Sequence, residues 1–265
     1  MNAPLPGFTE TAFEHEGVTK RVFRRGTGPG VVIMHELPGL IPADAALGLR
    51  VADAGYTVFM PSLMGTPGRP ESLLYQLEGV ARLCVSREFN GLATRRRSPI
   101  TDWLRALCRS VHAELGGRGV GAIGLCLTGN FALALMIDPV IAAPVLGEPA
   151  IPVPFTCAQR GALQLSDAEL GAVKERVAAG TPVLGLRFTG DRMCPRERFD
   201  RLSAELGDGF ERIDIDSSAG NVHGIPTSAH SVLTRDLVDR EGHPTREALD
   251  RVLAFLHERL VDSRD

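Results

Sequence analysis

No stretch of this sequence is apolar for long enough to cross a bilayer as a helix, which takes about 20 residues. The opening residues, MNAPLPGFTETAFEHEG, lack a basic start, an apolar stretch and a small-residue cleavage site, so no secretory signal is expected. A basic excess is also missing. With Lys+Arg at 29 and Asp+Glu at 32, the net charge is −3, and neither nucleic acid nor a membrane surface is an expected partner. The cysteines at 84, 108, 126, 157 and 194 form no Cys-x-x-Cys pair, which argues against a zinc knuckle and against a disulfide framework. A reduced, cytoplasmic protein with free thiols is the natural expectation. The histidines at 15, 35, 112, 223, 230, 243 and 257 include no His-x-x-x-His pair, so no metal is expected and no cofactor is inferred. There is no internal repeat and no linker-like composition, and residues 1–265 read as one domain. Gly-x-Ser-x-Gly, the usual signature of a serine hydrolase elbow, is absent too.

What is present is an alternation of short apolar runs and helical patterns, with an apolar fraction of 44% that can fill a substantial core. Val31–Met34, Tyr56–Met60, Val120–Leu125, Val140–Leu146, Pro182–Phe188 and Phe210–Ile215 read as strands, with Arg21–Arg25 as an edge strand. Helices are expected over Ala43–Ala54, from Glu71 to about Phe89, from Ser98 (N-cap) and Pro99 to Leu115, over Ser166–Ala179, Arg196–Leu206 and Thr245–Leu260. Ser166 and Glu169 have the spacing of a capping box. Strand and helix in alternation imply an α/β fold with a mostly parallel central sheet and helices on both faces.

Functional side chains of such sheets gather at the carboxyl ends of the strands. Four candidates fall there: Glu36, Cys126, Asp191 and His223. Cys126 lies between Gly124 and Gly129 where a strand passes into a helix, the layout of a nucleophile elbow, with sulfur for oxygen and Thr128 where a glycine is usual. Each candidate has a plainer reading. A lone cysteine is more often a small buried hydrophobe, Asp191 suits a simple turn with Asp214 and Asp216 as rival acids, and His230 lies seven residues beyond His223. The order nucleophile, acid, histidine favours the functional reading for Cys126, Asp191 and His223 together.

Val31-Val-Ile-Met-His-Glu36-Leu-Pro-Gly-Leu40, Gly124-Leu-Cys126-Leu-Thr-Gly129, Thr189-Gly-Asp191 and Asn221-Val-His223-Gly224 resemble the dienelactone hydrolase family of the α/β-hydrolase superfamily, from about residue 20 to the last helix. The resemblance implies an α/β-hydrolase fold and cleavage of an ester or lactone of a small organic acid. It implies a Cys-His-Asp triad, with Cys126 as nucleophile, His223 as base and acid, Asp191 as orienter and Glu36 touching the resting thiol. It also implies arginines for an anionic substrate, one of them four residues after the histidine, where Thr227 stands here. Arg87, Arg95 to Arg97 and Arg192 are the candidates for that role, with a solvated loop face as the plainer reading of the Arg95-Arg-Arg97 run.

The chemistry is consistent with those roles. A thiol with an ordinary pKa of about 8.5 needs a proton acceptor or an electropositive setting to attack at neutral pH. The helix after Cys126 offers a positive dipole end, and the histidine offers the acceptor. The oxyanion formed on attack is expected to bind the backbone N–H groups of Leu37 and Leu127. A non-catalytic small-molecule-binding protein on the same fold is the alternative.

Overall fold

The computed structural model describes residues 5–85, 99–150 and 157–261. Arg87, Arg95 to Arg97 and the expected cap Ser98 lie outside the described residues. The strands are β1 (Thr9–His15), β2 (Val18–Arg25), β3 (Gly30–Met34), β4 (Thr57–Pro61), β5 (Val120–Leu125), β6 (Ile141–Gly147), β7 (Val183–Phe188) and β8 (Phe210–Ile215). They form one sheet in the order β1-β2-β4-β3-β5-β6-β7-β8. The first two strands pair antiparallel, β2 also runs antiparallel to β4, and all later neighbours are parallel.

Side chains alternate across a strand, so a strand buried on both faces must be apolar at every position. In β3, Val32 and Met34 enter one core while Val31 and Ile33 enter the other. The first core is closed by α3 (Pro99–Leu115), α4 (Gly129–Leu135), α5 (Asp167–Ala178) and α6 (Arg196–Leu206). The second is closed by α1 (Pro42–Asp53) and α7 (Pro244–Leu260). A further helix, α2, spans Leu73–Val85. Helices on both faces of a mostly parallel sheet are the expected architecture, and the expected strands fall within one residue of their bounds, except that β2 starts three residues before Arg21.

Two local expectations have outcomes. Ser166 and Glu169 do form the capping box: the Ser166 hydroxyl accepts the Glu169 N–H at 3.3 Å and the Glu169 carboxylate accepts the Ser166 N–H at 2.9 Å. The outermost strand, β1, was not expected, because its TETAFEH sequence is mostly exposed. It is held by pairing with β2 and by Phe13, whose ring meets Trp103 edge-on with centroids 5.3 Å apart.

Trp103 joins that edge to the core. It is 2% exposed, and its indole N–H donates to the Val18 carbonyl at 3.0 Å. Trp103→Ala is expected to lower unfolding free energy by about 3–5 kcal/mol. Urea denaturation measures this, and a change too small to detect would contradict the packing described.

Candidate active site

The elbow is built by steric exclusion. β5 ends at Leu125, Cys126 takes a φ of +54°, and a single 3-10 turn, Cys126–Thr128, opens into α4. That φ costs a non-glycine residue about 1–3 kcal/mol and persists only where the surroundings over-determine it. Here the surroundings do. A Cβ on Gly124 would lie 2.2 Å from the Thr128 carbonyl oxygen, and one on Gly129 would lie 2.9 Å from Pro149 Cα. Thr128, in the place of the usual glycine, has an ordinary φ of −75° and a buried hydroxyl that ties the turn together. The hydroxyl oxygen accepts the Leu125 N–H at 2.8 Å and lies 2.7 Å from the Met34 carbonyl, to which it donates, so the elbow is pinned to the end of β3. Because α4 has only seven residues, its dipole supplies less positive potential than a long helix would.

The structure brings His230, not His223, to this elbow. His230 Nδ1 lies 2.6 Å from Asp191 Oδ2. Asp191 follows β7 and fixes its other oxygen by accepting the Met193 N–H at 2.8 Å. The remaining ring nitrogen, Nε2, is buried and makes no hydrogen bond of regular geometry, but the Cys126 thiol is close enough to act on the ring's protonation. Burial disfavours the charged ring. The hydrogen bond to Asp191, with the influence of the neighbouring Cys126, more than offsets burial and pushes its pKa up to about 11.

His223 is exposed, its ring stacked edge-on against His243 at 5.4 Å between centroids. It sits in a tight turn closed by Asn221, whose side chain accepts the Ile225 N–H at 2.9 Å and donates to the Ile225 carbonyl at 2.7 Å. Of the rival acids, Asp214 pairs with Arg187 and Arg212, and the exposed Asp216 accepts the Ser218 N–H. Neither is the partner of His230. The signal that separates the histidines is local: His230 lies in Ala229-His-Ser-Val-Leu233, which is buried throughout, whereas Asn-Val-His-Gly is a polar turn.

Glu36 is brought close, but to a different partner. The thiol is not among its hydrogen-bond partners. One oxygen accepts the Thr234 hydroxyl at 2.6 Å; the other accepts the Ser231 hydroxyl at 2.8 Å and pairs with Arg235. Glu36 therefore fixes the segment that carries His230. Counting four residues on from His230 gives Thr234 rather than Thr227, and the neighbouring Arg235 is engaged by both Glu36 and Glu71. Arg192 is exposed beside Asp191.

Leu37 and Leu127 stand at the ends of β3 and β5 as expected, and the carbonyls of their peptide units are anchored. His35 is fully buried, and burial pushes its pKa down to about 4 despite its bond to the Glu36 carbonyl. Its neutral ring accepts the Leu63 N–H at Nε2 (3.0 Å), so Nδ1 carries the proton and donates to the Glu36 carbonyl at 2.8 Å. The Cys126 carbonyl accepts the Ala150 N–H at 3.0 Å. In a trans peptide the N–H points opposite to the C=O. The N–H groups of Leu37 and Leu127 are thus turned away from those anchors. No group of three or more His, Cys, Asp or Glu that could hold a metal occurs among the described residues, and no helix among them is long and apolar enough to cross a membrane.

Comparison with known proteins agrees with this architecture. The sheet order and the elbow after β5 define an α/β-hydrolase fold. A dienelactone hydrolase from Anabaena variabilis superposes with a TM-score of 0.60 at 13% identity, covering 97% of this chain and 100% of that one. A dienelactone hydrolase-like promiscuous phosphotriesterase, P91, from metagenomic libraries gives 0.61 at 14% identity, over 96% of this chain and 98% of that one. A Saccharomyces cerevisiae protein named "putative carboxymethylenebutenolidase" is 26% identical over 115 residues, 42% of this chain and 39% of that protein. The model of the dienelactone hydrolase family matches residues 19–260. The chain belongs to the dienelactone hydrolase family.

Thr128→Val keeps the shape of the elbow but leaves the Leu125 N–H and the Met34 carbonyl without this partner. A loss of about 1–3 kcal/mol in stability is expected. Thermal or urea unfolding reads it out, and a neutral result would mean that the hydroxyl does not pin the turn.

Proposed function

We propose that this protein cleaves an ester or lactone of a small organic acid with Cys126 as nucleophile, His230 as proton carrier and Asp191 as orienting acid. The observation that carries the proposal is the 2.6 Å bond between His230 Nδ1 and Asp191, made beside a cysteine held at a φ of +54° on the elbow. With the thiol's proton already held on His230, sulfur attacks the carbonyl carbon. The oxyanion is received by the Leu37 and Leu127 N–H groups, whose directions are set by His35 and Ala150. Collapse breaks the C–O bond to the leaving alkoxide, which takes the proton from His230 and leaves an acyl-cysteine. Water, giving a proton to His230, then attacks the thioester, releases the acid and leaves the sulfur beside the protonated ring. No cofactor or metal enters these steps, and the machinery acts as one domain spanning residues 1–265. A substrate carboxylate seeking Arg235 would compete with Glu36 and Glu71, so neutral esters and lactones are turned over at least as readily as anionic ones.

With p-nitrophenyl acetate, the wild type is expected to release a burst of p-nitrophenol that Cys126→Ala abolishes. His230→Ala is expected to lower turnover by about 10²- to 10⁴-fold, whereas His223→Ala leaves it unchanged. The opposite ranking of the two histidines would overturn the assignment, and a chain that binds esters without a burst would be a binding protein.

Because the His230 pKa lies near 11, the ring stays protonated across the neutral range. A protonated ring beside the sulfur favours its attack, so Cys126 is expected to react with iodoacetamide at pH 7 faster in the wild type than in His230→Ala. Equal rates in the two proteins would contradict the pairing.

A further inference from the structure

Glu148 is a buried acid at the site for which the reaction scheme above has no use. It follows β6 directly, has a φ of +35°, and is fully buried. A left-handed conformation is costly for glutamate, and here it is held from both sides. The Glu148 N–H donates to the Leu186 carbonyl at 2.8 Å, in the strand that leads to Asp191. The side chain reaches the segment that bears the histidine: Oε2 accepts the Val232 N–H at 3.2 Å, two residues beyond His230. Oε1 is buried with no partner. The titratable groups that act on Glu148 are His230, Glu36 and Asp191, and Glu148 acts in turn on the buried Cys194.

We propose that Glu148 is a positioning residue for His230, a buried carboxyl group that braces the histidine segment at the Val232 N–H and holds its other oxygen unpartnered beside the site. This rests on the assignment of His230 as proton carrier. Burial raises the Glu148 pKa to about 8, with the carboxylates of Glu36 and Asp191 adding to the rise and His230 opposing it. The acid is therefore mostly protonated at neutral pH. Losing the proton places a further negative charge beside Glu36 and Asp191, the two carboxylates that hold the same segment. It also strengthens the hold of His230 on its own proton, which the leaving group needs. Both effects lower the rate. A glutamine would brace the same N–H without this sensitivity.

The test compares wild type, Glu148→Gln and Glu148→Ala. Glu148→Ala is expected to lower kcat at least about tenfold with little change in KM, as misplacement of a proton-transfer group does, and Glu148→Gln restores most of that loss. The wild-type kcat for a neutral ester should fall as pH rises through about 8, and this fall should be missing in Glu148→Gln. A fall that persists in Glu148→Gln, or a Glu148→Gln variant as impaired as Glu148→Ala, overturns the proposal. A second readout needs no catalysis. A carboxyl whose pKa is raised on folding contributes stability below its unfolded value and loses it as pH rises through the folded one. The melting temperature of Glu148→Gln should therefore gain on the wild type between pH 5 and pH 9, and a constant difference overturns the proposal even if Glu148→Ala does not fold. A wild type without a Cys126-dependent burst would fail the parent assignment, while the melting series would still decide whether Glu148 is a buried neutral acid.

Discussion

Everything at this site depends on holding one short segment, residues 230–235, against the carboxyl ends of the strands. Three strands contribute a carboxyl group to that task. β3 supplies Glu36, which grips Ser231, Thr234 and Arg235; β6 supplies Glu148, which meets the Val232 N–H; β7 supplies Asp191, which meets the His230 ring. Asp236 closes the segment from its own far end by accepting the N–H groups of His230 and Ser231, each at 2.9 Å. The histidine comes from a loop, yet its position is set by side chains that follow strands of the sheet. Precision of this kind is what proton transfer to and from a reacting group requires.

The arrangement concentrates acid in a dry place. Glu36, Asp44, Glu148 and Asp191 are all buried, and the cations that act on them are His230 and Arg235. Unpaired buried carboxylates cost too much to stay ionised, so some of these groups keep their protons. Asp44 is pushed well above the usual carboxylate range by burial and by the charge of Glu36, even as it accepts the Ile41 N–H at the start of α1. Two of these acids have a basic side chain as direct partner, Glu36 with Arg235 and Asp191 with His230. Two of the non-glycine residues with a left-handed φ among the described residues, Cys126 and Glu148, end the adjacent strands β5 and β6. Backbone strain and buried charge thus meet at one edge of the sheet, and the two hydrophobic cores bear the cost.

Much of this was legible in the sequence, for reasons that are physical. Val31–Met34 and Val120–Leu125 are apolar at every position because both of their faces are covered. Cys126 is visible because Gly124 and Gly129 leave room that no Cβ could share. Asp191 lies three residues past the end of the buried strand β7, and Gly190 before it lets the Thr227 carbonyl pass close by. The His-Gly turn at His223 carries a strong local signature, whereas the ring that meets Asp191 is His230, brought there by a pairing 39 residues apart that spacing does not encode. Glu36 stands at a strand end, a local feature, but its partners lie about two hundred residues away, at Ser231, Thr234 and Arg235. β1 escaped because an edge strand with one inward aromatic leaves almost no pattern.

Proton transfer at this site depends on the His230 ring, flanked by Asp191 and Cys126, holding a proton in the resting protein. Nitrogen-15 NMR of the imidazole rings, with His230 assigned by its absence in His230→Gln, reads that state directly. A His230 ring protonated on both nitrogens at pH 7, and losing that proton in Asp191→Asn, is the predicted result. A His230 ring that titrates near the ordinary histidine value of about 6.5 in the wild type would contradict the central claim.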